Sequence, residues 1–164
     1  MTEDACLKIA DLFLRCGPGV GSYVLLRVGS PELAEEITAR VFLTVVRQFP
    51  QQNGSLIGWL WSIVRTELGR HYRQRPVQAF REDIESAEPM PLEEMERKEL
   101  AELLRHCLDR LPEDEHQLIS LKFFLGLGNQ EIAEATGLTP SNVGVKLHRI
   151  LKGLRGQLEK SLVE

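Results

Sequence analysis

Two groups of side chains in this 164-residue sequence have the types and spacing to hold nucleic acid. The first lies in NQEIAEATGLTPSNVGVKLHRILKGL, residues 129–154, where Ser141 and Asn142 precede Lys146, Arg149 and Lys152. Hydrogen-bonding groups followed by cations suit a helix that reads base edges and grips phosphates. The second group is Trp61, Arg65, Leu68 and Tyr72, at four-, three- and four-residue spacing, with Arg73 beside it. Rings next to cations on one helical flank suit unpaired bases and their backbone. Trp59 falls on the opposite flank and reads as core. Gln51, Gln52 and Asn53 offer amides that donate and accept along a base edge. Plainer alternatives stay open at this point: a helical hairpin with a solvated basic face, Trp61 as packing, and an amide-rich loop that is only a loop.

These groups need elements to position them. Asn129 is expected to cap a helix whose apolar face is Ile132, Ala133 and Thr136, and Gly137 supplies the left-handed backbone that ends it. Thr139 caps the next helix, and Pro140 sits in its first turn. Val143, Leu147, Ile150, Leu151 and Leu154 form its apolar stripe. Upstream, the pattern predicts a helix over 4–15 broken at Gly17-Pro18-Gly19 and a glycine-weakened helix to about 28. A third helix over 31–48 buries Leu33, Ile37, Val41, Phe42 and Val45. A turn-rich loop over 49–55 leads to a fourth helix over 56–75, with Leu56, Leu60, Ile63 and Val64 inward. Leu100, Leu103, Leu104, Cys107, Leu108 and Leu111 share a face of a later helix that Pro112 breaks, and another helix follows to about 125. No alternating pattern is long enough for a strand. The expected fold is all-α, with two small helical domains (1–75 and 93–164) joined by an acidic linker (76–92), the second containing a helix-turn-helix.

Charge supports that division. The net charge is −4, which argues against a protein that coats nucleic acid nonspecifically. Arg65, Arg70, Arg73, Arg75 and Arg81 form one basic stretch; Lys146, Arg149, Lys152, Arg155 and Lys160 form another. Between them runs an acidic segment that includes Glu82, Asp83, Glu85, Glu88, Glu93, Glu94 and Glu96. Three cysteines (Cys6, Cys16 and Cys107) lack paired metal spacing and fit thiols in a reducing compartment. His106, Cys107 and His116 fall short of four zinc ligands, so no metal is expected. No nucleophile–base pair, phosphate loop or metalloprotease motif appears, so neither an enzyme nor a cofactor is expected. No membrane span or signal peptide is expected, and the expected compartment is the cytoplasm.

Four segments carry a resemblance. GSPELAEEITARVFLTVV (29–46), GWLWSIVRTELGRHYRQR (58–75), LDRLPEDEHQLISLKFFLGLGNQEIAEATGL (108–138) and SNVGVKLHR (141–149) occur in this order. Together they resemble RNA polymerase sigma factors of the extracytoplasmic-function type, small members of the sigma-70 family. The resemblance implies a subunit that binds core RNA polymerase through its β′ clamp and β flap and directs initiation at promoter DNA. It implies that Glu32, Glu35 and Glu36 dock on polymerase, and that the Trp61–Tyr72 helix with Gln51, Gln52 and Asn53 melts and reads the −10 element. Ser141, Asn142, Lys146, Arg149 and Lys152 would read the −35 element, and an anti-sigma factor would exert control.

The chain also departs from the family pattern. Ala39 and Arg40 stand where a Gln-Glu pair is usual, and Arg40 lies one helical turn after Glu36, where it can neutralise it. Thr66 replaces an Asn and Arg70 an Asp; Gly144 replaces a Lys; Gly19, Gly21, Leu25 and Leu26 replace residues that are commonly basic or polar. Two other functions remain compatible with the sequence. One is a LuxR-like helix-turn-helix regulator that does not engage polymerase. The other is a degenerate sigma-like module that binds a protein partner alone.

Overall fold

The computed structural model describes residues 1–74 and 91–163, and among these it is all-helical with no strand. Most of the acidic linker (76–92), together with Arg75 and Arg81, lies outside the described residues. In the first half, α1 (Glu3–Val28) starts at Thr2, whose hydroxyl accepts the Ala5 N–H at 3.2 Å. It ends at Gly29 (φ 75°), whose N–H reaches the Leu25 carbonyl at 2.8 Å. The helix runs unbroken through Gly17-Pro18-Gly19, which corrects the expected break. Proline there removes one backbone bond, to the carbonyl of residue 14. Leu14 is exposed, so water can take its place. The buried stripe Leu12, Cys16, Val20, Tyr23, Val24 and Val28 continues past the proline and holds both segments on one axis. By length and composition alone α1 is long and apolar enough to cross a membrane, as core helices also can be. Its apolar stripe is turned into the helical core instead.

Helix α2 (Pro31–Gln48) opens on Ser30 and buries Ala34, Ile37, Val41, Phe42 and Val45 against α1 and the next helix. A 3-10 turn at Phe49–Gln51 and a left-handed Gly54 lead into α3 (Leu56–Gln74). The sequence places Trp59 in the core and Trp61 on an open flank, and the structure reverses this. Trp61 is 1% exposed and stacks on Tyr23 at 4.8 Å, whereas Trp59 is only half-buried beside Phe49. The reason is that α1, through Tyr23, covers the flank that carries Trp61.

The second half comprises α4 (Leu92–Asp109), α5 (Glu113–Phe123), α6 (Asn129–Thr136) and α7 (Pro140–Val163). Helix α7 is the axis on which the other three pack. Its buried stripe is Val143, Leu147, Ile150 and Leu154. Leu151, one residue round the helix from the centre of that stripe, is exposed, as is Leu100 on α4. Both expectations are corrected.

The two halves are seated on each other, and their buried side chains form one continuous cluster. Tyr23 of α1 lies between Trp61 and two rings of α5 and its end, His116 at 5.6 Å and Phe124 at 5.3 Å. Two glycines permit the approach. A side chain at Gly19 would enter the Phe124 carbonyl and lie 3.1 Å from the Leu125 Cα; one at Gly58 would lie 2.9 Å from the Ala135 carbonyl oxygen. Among the described residues three ion pairs cross the seam: Arg15–Glu131 at 2.7 Å, Arg65–Glu113 at 2.6 Å, and Arg27–Asp109. Exposed pairs of this kind contribute about 0–1 kcal/mol each, so packing around Tyr23 carries most of the contact.

Two outcomes follow from this arrangement. Trp61→Ala should cost about 3–5 kcal/mol in urea unfolding, as large buried rings do, and Trp59→Ala less than half as much. The opposite order would contradict the assigned packing. The second outcome is pH dependence. Burial first, then the nearby Arg27 charge, lowers His116 to about 4, against the opposing pull of Asp109 and Glu113. Tyr23, pushed up to about 12 by burial, stays protonated throughout. The seated state therefore holds a neutral imidazole that an unseated chain protonates below about pH 6.5. Its contribution is complete above that pH and falls progressively toward pH 4. Between pH 7.5 and 5 the melting temperature should fall more steeply for the wild type than for His116→Gln, and equal slopes would contradict the account.

Candidate nucleic-acid interface

The α6–α7 unit forms a helix-turn-helix through local chemistry. Gly128, in extended backbone, precedes α6, so Asn129 is the first helical residue and not the cap. Its side-chain oxygen instead accepts Lys122 Nζ at 3.1 Å, which ties α6 to α5. Gly137 (φ 80°) ends α6 with its N–H on the Ala133 carbonyl at 2.8 Å. Thr139 Oγ1 accepts the Asn142 N–H at 3.1 Å, satisfying an amide of the first turn of α7. With the apolar stripe of α7 inward, Ser141, Asn142, Arg149 and Lys152 are exposed and Lys146 is half-buried. Asn142, Lys146 and Arg149 are four and three residues apart, so one face presents an amide and two cations. Gly144 turns toward α6, where an added Cβ would meet Asn129 Nδ2 at 3.4 Å. A longer side chain there would start against α6 and not point straight to solvent.

On α3 the structure separates the expected set. Arg65 and Arg73 are exposed and line a shallow trough with Ser62, Thr66 and Gly69. Eight residues at about 1.5 Å per residue place the two cations about 12 Å apart along the helix. Tyr72 is half-buried and donates its hydroxyl to the Arg27 carbonyl at 2.9 Å, under the Arg27 guanidinium. Trp61 and Leu68 are core. In the preceding loop, Gln51 and Asn53 are exposed, while Gln52 donates Nε2 to the Gly54 carbonyl at 2.9 Å and so braces the turn.

The trough and a second hollow contain residues that the sequence reading passed over. Trp59 lines a polar recess between α2 and α3 with Thr44, Arg47, Gln48, Thr66 and Arg70. Trp59, Ser62, Thr66 and Arg70 recur at three-, four- and four-residue spacing, the same signal as the Trp61 set. Only the placement of α1 over one flank distinguishes them. On α2, Glu32, Glu35 and Glu36 are all exposed, and Arg40 holds Glu36 at 2.6 Å, as its spacing implied. Glu32 and Glu35 take part in no ion pair among the described residues, so the acidic face keeps two uncompensated carboxylates.

Comparisons with known proteins agree with this layout. The family model "Sigma-70, region 4" matches residues 101–154, from within α4 to Leu154 on α7. RNA polymerase sigma factor SigZ of Bacillus subtilis is 25% identical over 158 residues, covering 95% of this chain and 88% of its own. RNA polymerase sigma factor CarQ of Myxococcus xanthus is 28% identical over 160 residues, covering 91% and 90%. The solved structure of the sigma factor RpoE in complex with the anti-sigma factor NepR from Bartonella quintana has the same fold. It gives a TM-score of 0.55 at 16% identity, over 93% of this chain and 97% of that one. Similarity to sigma factors thus runs the length of both helical halves and includes the region-4 helix-turn-helix.

Proposed function

We propose that the chain is an alternative sigma factor, a non-enzymatic subunit that binds core RNA polymerase in the cytoplasm and directs promoter-specific initiation. The observation that carries this reading is α7, whose capped start presents Ser141, Asn142, Lys146, Arg149 and Lys152 outward from a fully packed stripe. Helix N-termini of this kind enter the major groove, and the region-4 match supports taking the −35 element as what this one would read. In this reading residues 1–75 serve the −10 element and polymerase, 76–92 connect, and 93–164 serve the −35 element and the β flap. Arg65 and Arg73 would hold the backbone of the unpaired strand, with Gln51, Gln52 and Asn53 near a displaced base and Tyr72 bracing the helix. Trp59 replaces Trp61 as the ring within reach of DNA, because it is the accessible one. Glu32 and Glu35 would meet basic side chains of the β′ clamp, with Glu36 partly neutralised by Arg40. An anti-sigma factor is the expected regulator, as NepR is for RpoE in the solved complex.

The experiment is binding and run-off transcription with purified core polymerase. Asn142→Ala should lose discrimination at one or two −35 positions, each worth about 1–3 kcal/mol. Lys146→Ala should weaken all duplexes alike and lower the salt slope by about one. Unchanged transcription and footprints for both variants would remove α7 as the reading helix. Reversing Glu32 and Glu35 to Lys should weaken association with core polymerase at unchanged helicity. An unaltered affinity in titration would remove α2 as the docking face.

A further inference from the structure

We infer that the hollow between α1 and α4 is a binding site for a small amphipathic acid, an acyl chain that carries one carboxylate. The inference does not depend on the promoter reading.

The hollow measures about 370 Å³, within the range of about 300–1,000 Å³ that small-molecule sites occupy. Its walls come from both halves of the chain. Leu25 and Leu26 of α1 face Ala101 and Leu104 of α4, and Phe124, just after α5, completes the apolar lining. The Arg27–Asp109 ion pair ties the end of α1 to the end of α4. Leu25 and Leu26 are two of the departures from the sigma pattern, and Leu25 is 40% exposed. A single exposed leucine is ordinary on a protein surface. Here it borders a hollow whose other walls are also apolar, so a ligand would remove a joined apolar surface from water.

The charged groups at the hollow all belong to α4. Lys98 and Arg105, about two helical turns apart, are half-buried, whereas Glu102 between them is exposed. Among the described residues none of the three side chains takes part in an ion pair or hydrogen bond. Long cationic side chains lay their methylenes along apolar surface and carry the charge at its edge. Two cations against one carboxylate leave a single positive charge, which a monoanion neutralises. The C-terminal end of α1 reaches the hollow at Gly29, and the negative pole of a helix end disfavours an anion there. The carboxylate therefore belongs against α4 and the acyl chain against α1.

Room for the chain continues beyond Leu25. Ser22 and Leu25 are shared with a second hollow, of about 520 Å³, between α1 and α2. Phe13, Pro18, Gly21 and Ala34 line it, with one carboxylate, Glu35, and no cation. It suits a tail and not an anionic head. A Cβ at Gly21 would meet nothing within 4 Å, so this glycine leaves the second hollow open.

The test is isothermal titration of the full chain with sodium decanoate below its micelle concentration, beside decanol, decyltrimethylammonium and dodecanoate. Wild type should bind one equivalent of decanoate, saturating at or below about 1 mM. Its melting temperature should rise with ligand, because both halves contribute walls. Dodecanoate should bind about fourfold more tightly per added methylene, and Gly21→Leu should cancel that gain. Decanol should bind about tenfold more weakly than decanoate, the loss expected for hydrogen bonds to a charged group. The double variant Lys98→Ala/Arg105→Ala should remove this difference and leave decanol binding unchanged. Ala101→Trp, at an exposed position of the wall, should abolish binding without lowering the melting temperature of the free chain. Arg97→Ala, outside the hollow, should bind as wild type does. Absence of binding, non-saturating uptake of several equivalents, equal affinity for decanoate and decyltrimethylammonium, or unchanged binding in Ala101→Trp would each overturn the site. A dodecanoate gain that survives Gly21→Leu would overturn the part assigned to the second hollow.

Discussion

The arrangement of the whole chain depends on the approach of the Phe124–Leu125 backbone to Gly19. Once that contact is made, Tyr23 lies between Trp61 on one side and His116 and Phe124 on the other. Arg27 and Arg65 then fall opposite Asp109 and Glu113. The order of importance follows from magnitudes. Partly exposed ion pairs are individually weak and screened by salt, whereas a buried tyrosine against three rings removes a large apolar area from water. Packing therefore sets the seating, and the ion pairs fix its register.

The division of surfaces follows from the same contact. Helix α7 faces solvent with its polar residues, α2 faces solvent with its carboxylates, and α3 is divided between an open trough lined by Arg65 and Arg73 and a recess that holds Trp59. These three surfaces point away from the shared core, so each can meet a different macromolecule. Their chemistry also differs. The α7 face combines an amide with cations, the α2 face is anionic, and α3 offers cations beside an accessible indole. Duplex DNA, a basic protein surface and unpaired DNA are the respective complements under the proposed function.

Much of this was legible in the sequence where local chemistry decides the outcome. The Ser30-Pro31 start of α2, the Gly137 stop, the Thr139 cap and the packed side of α7 all depend on residues within a few positions of each other. The errors fall where a distant segment decides. Pro18 reads as a break, but α1 continues because its buried stripe extends on both sides of the proline. Trp59 and Trp61 carry equivalent periodic signals, and only the placement of Tyr23 assigns one to the core. Asn129 reads as a cap, yet Lys122 recruits its side chain and leaves Gly128 at the helix entrance. Nothing local to Gly19 announces its role, because its partner lies more than a hundred residues away.

The most direct measurement is the distance between one dye on α2 and one on α7, read by single-molecule fluorescence transfer. It would be taken in the chain alone and in its assembly with core polymerase and promoter DNA. The account predicts a short distance, within the roughly 40 Å of a compact chain, for the chain alone. In the assembly the distance should rise toward the roughly 85 Å that separates the two promoter elements at about 3.4 Å per base pair. The same distance in both states would contradict it.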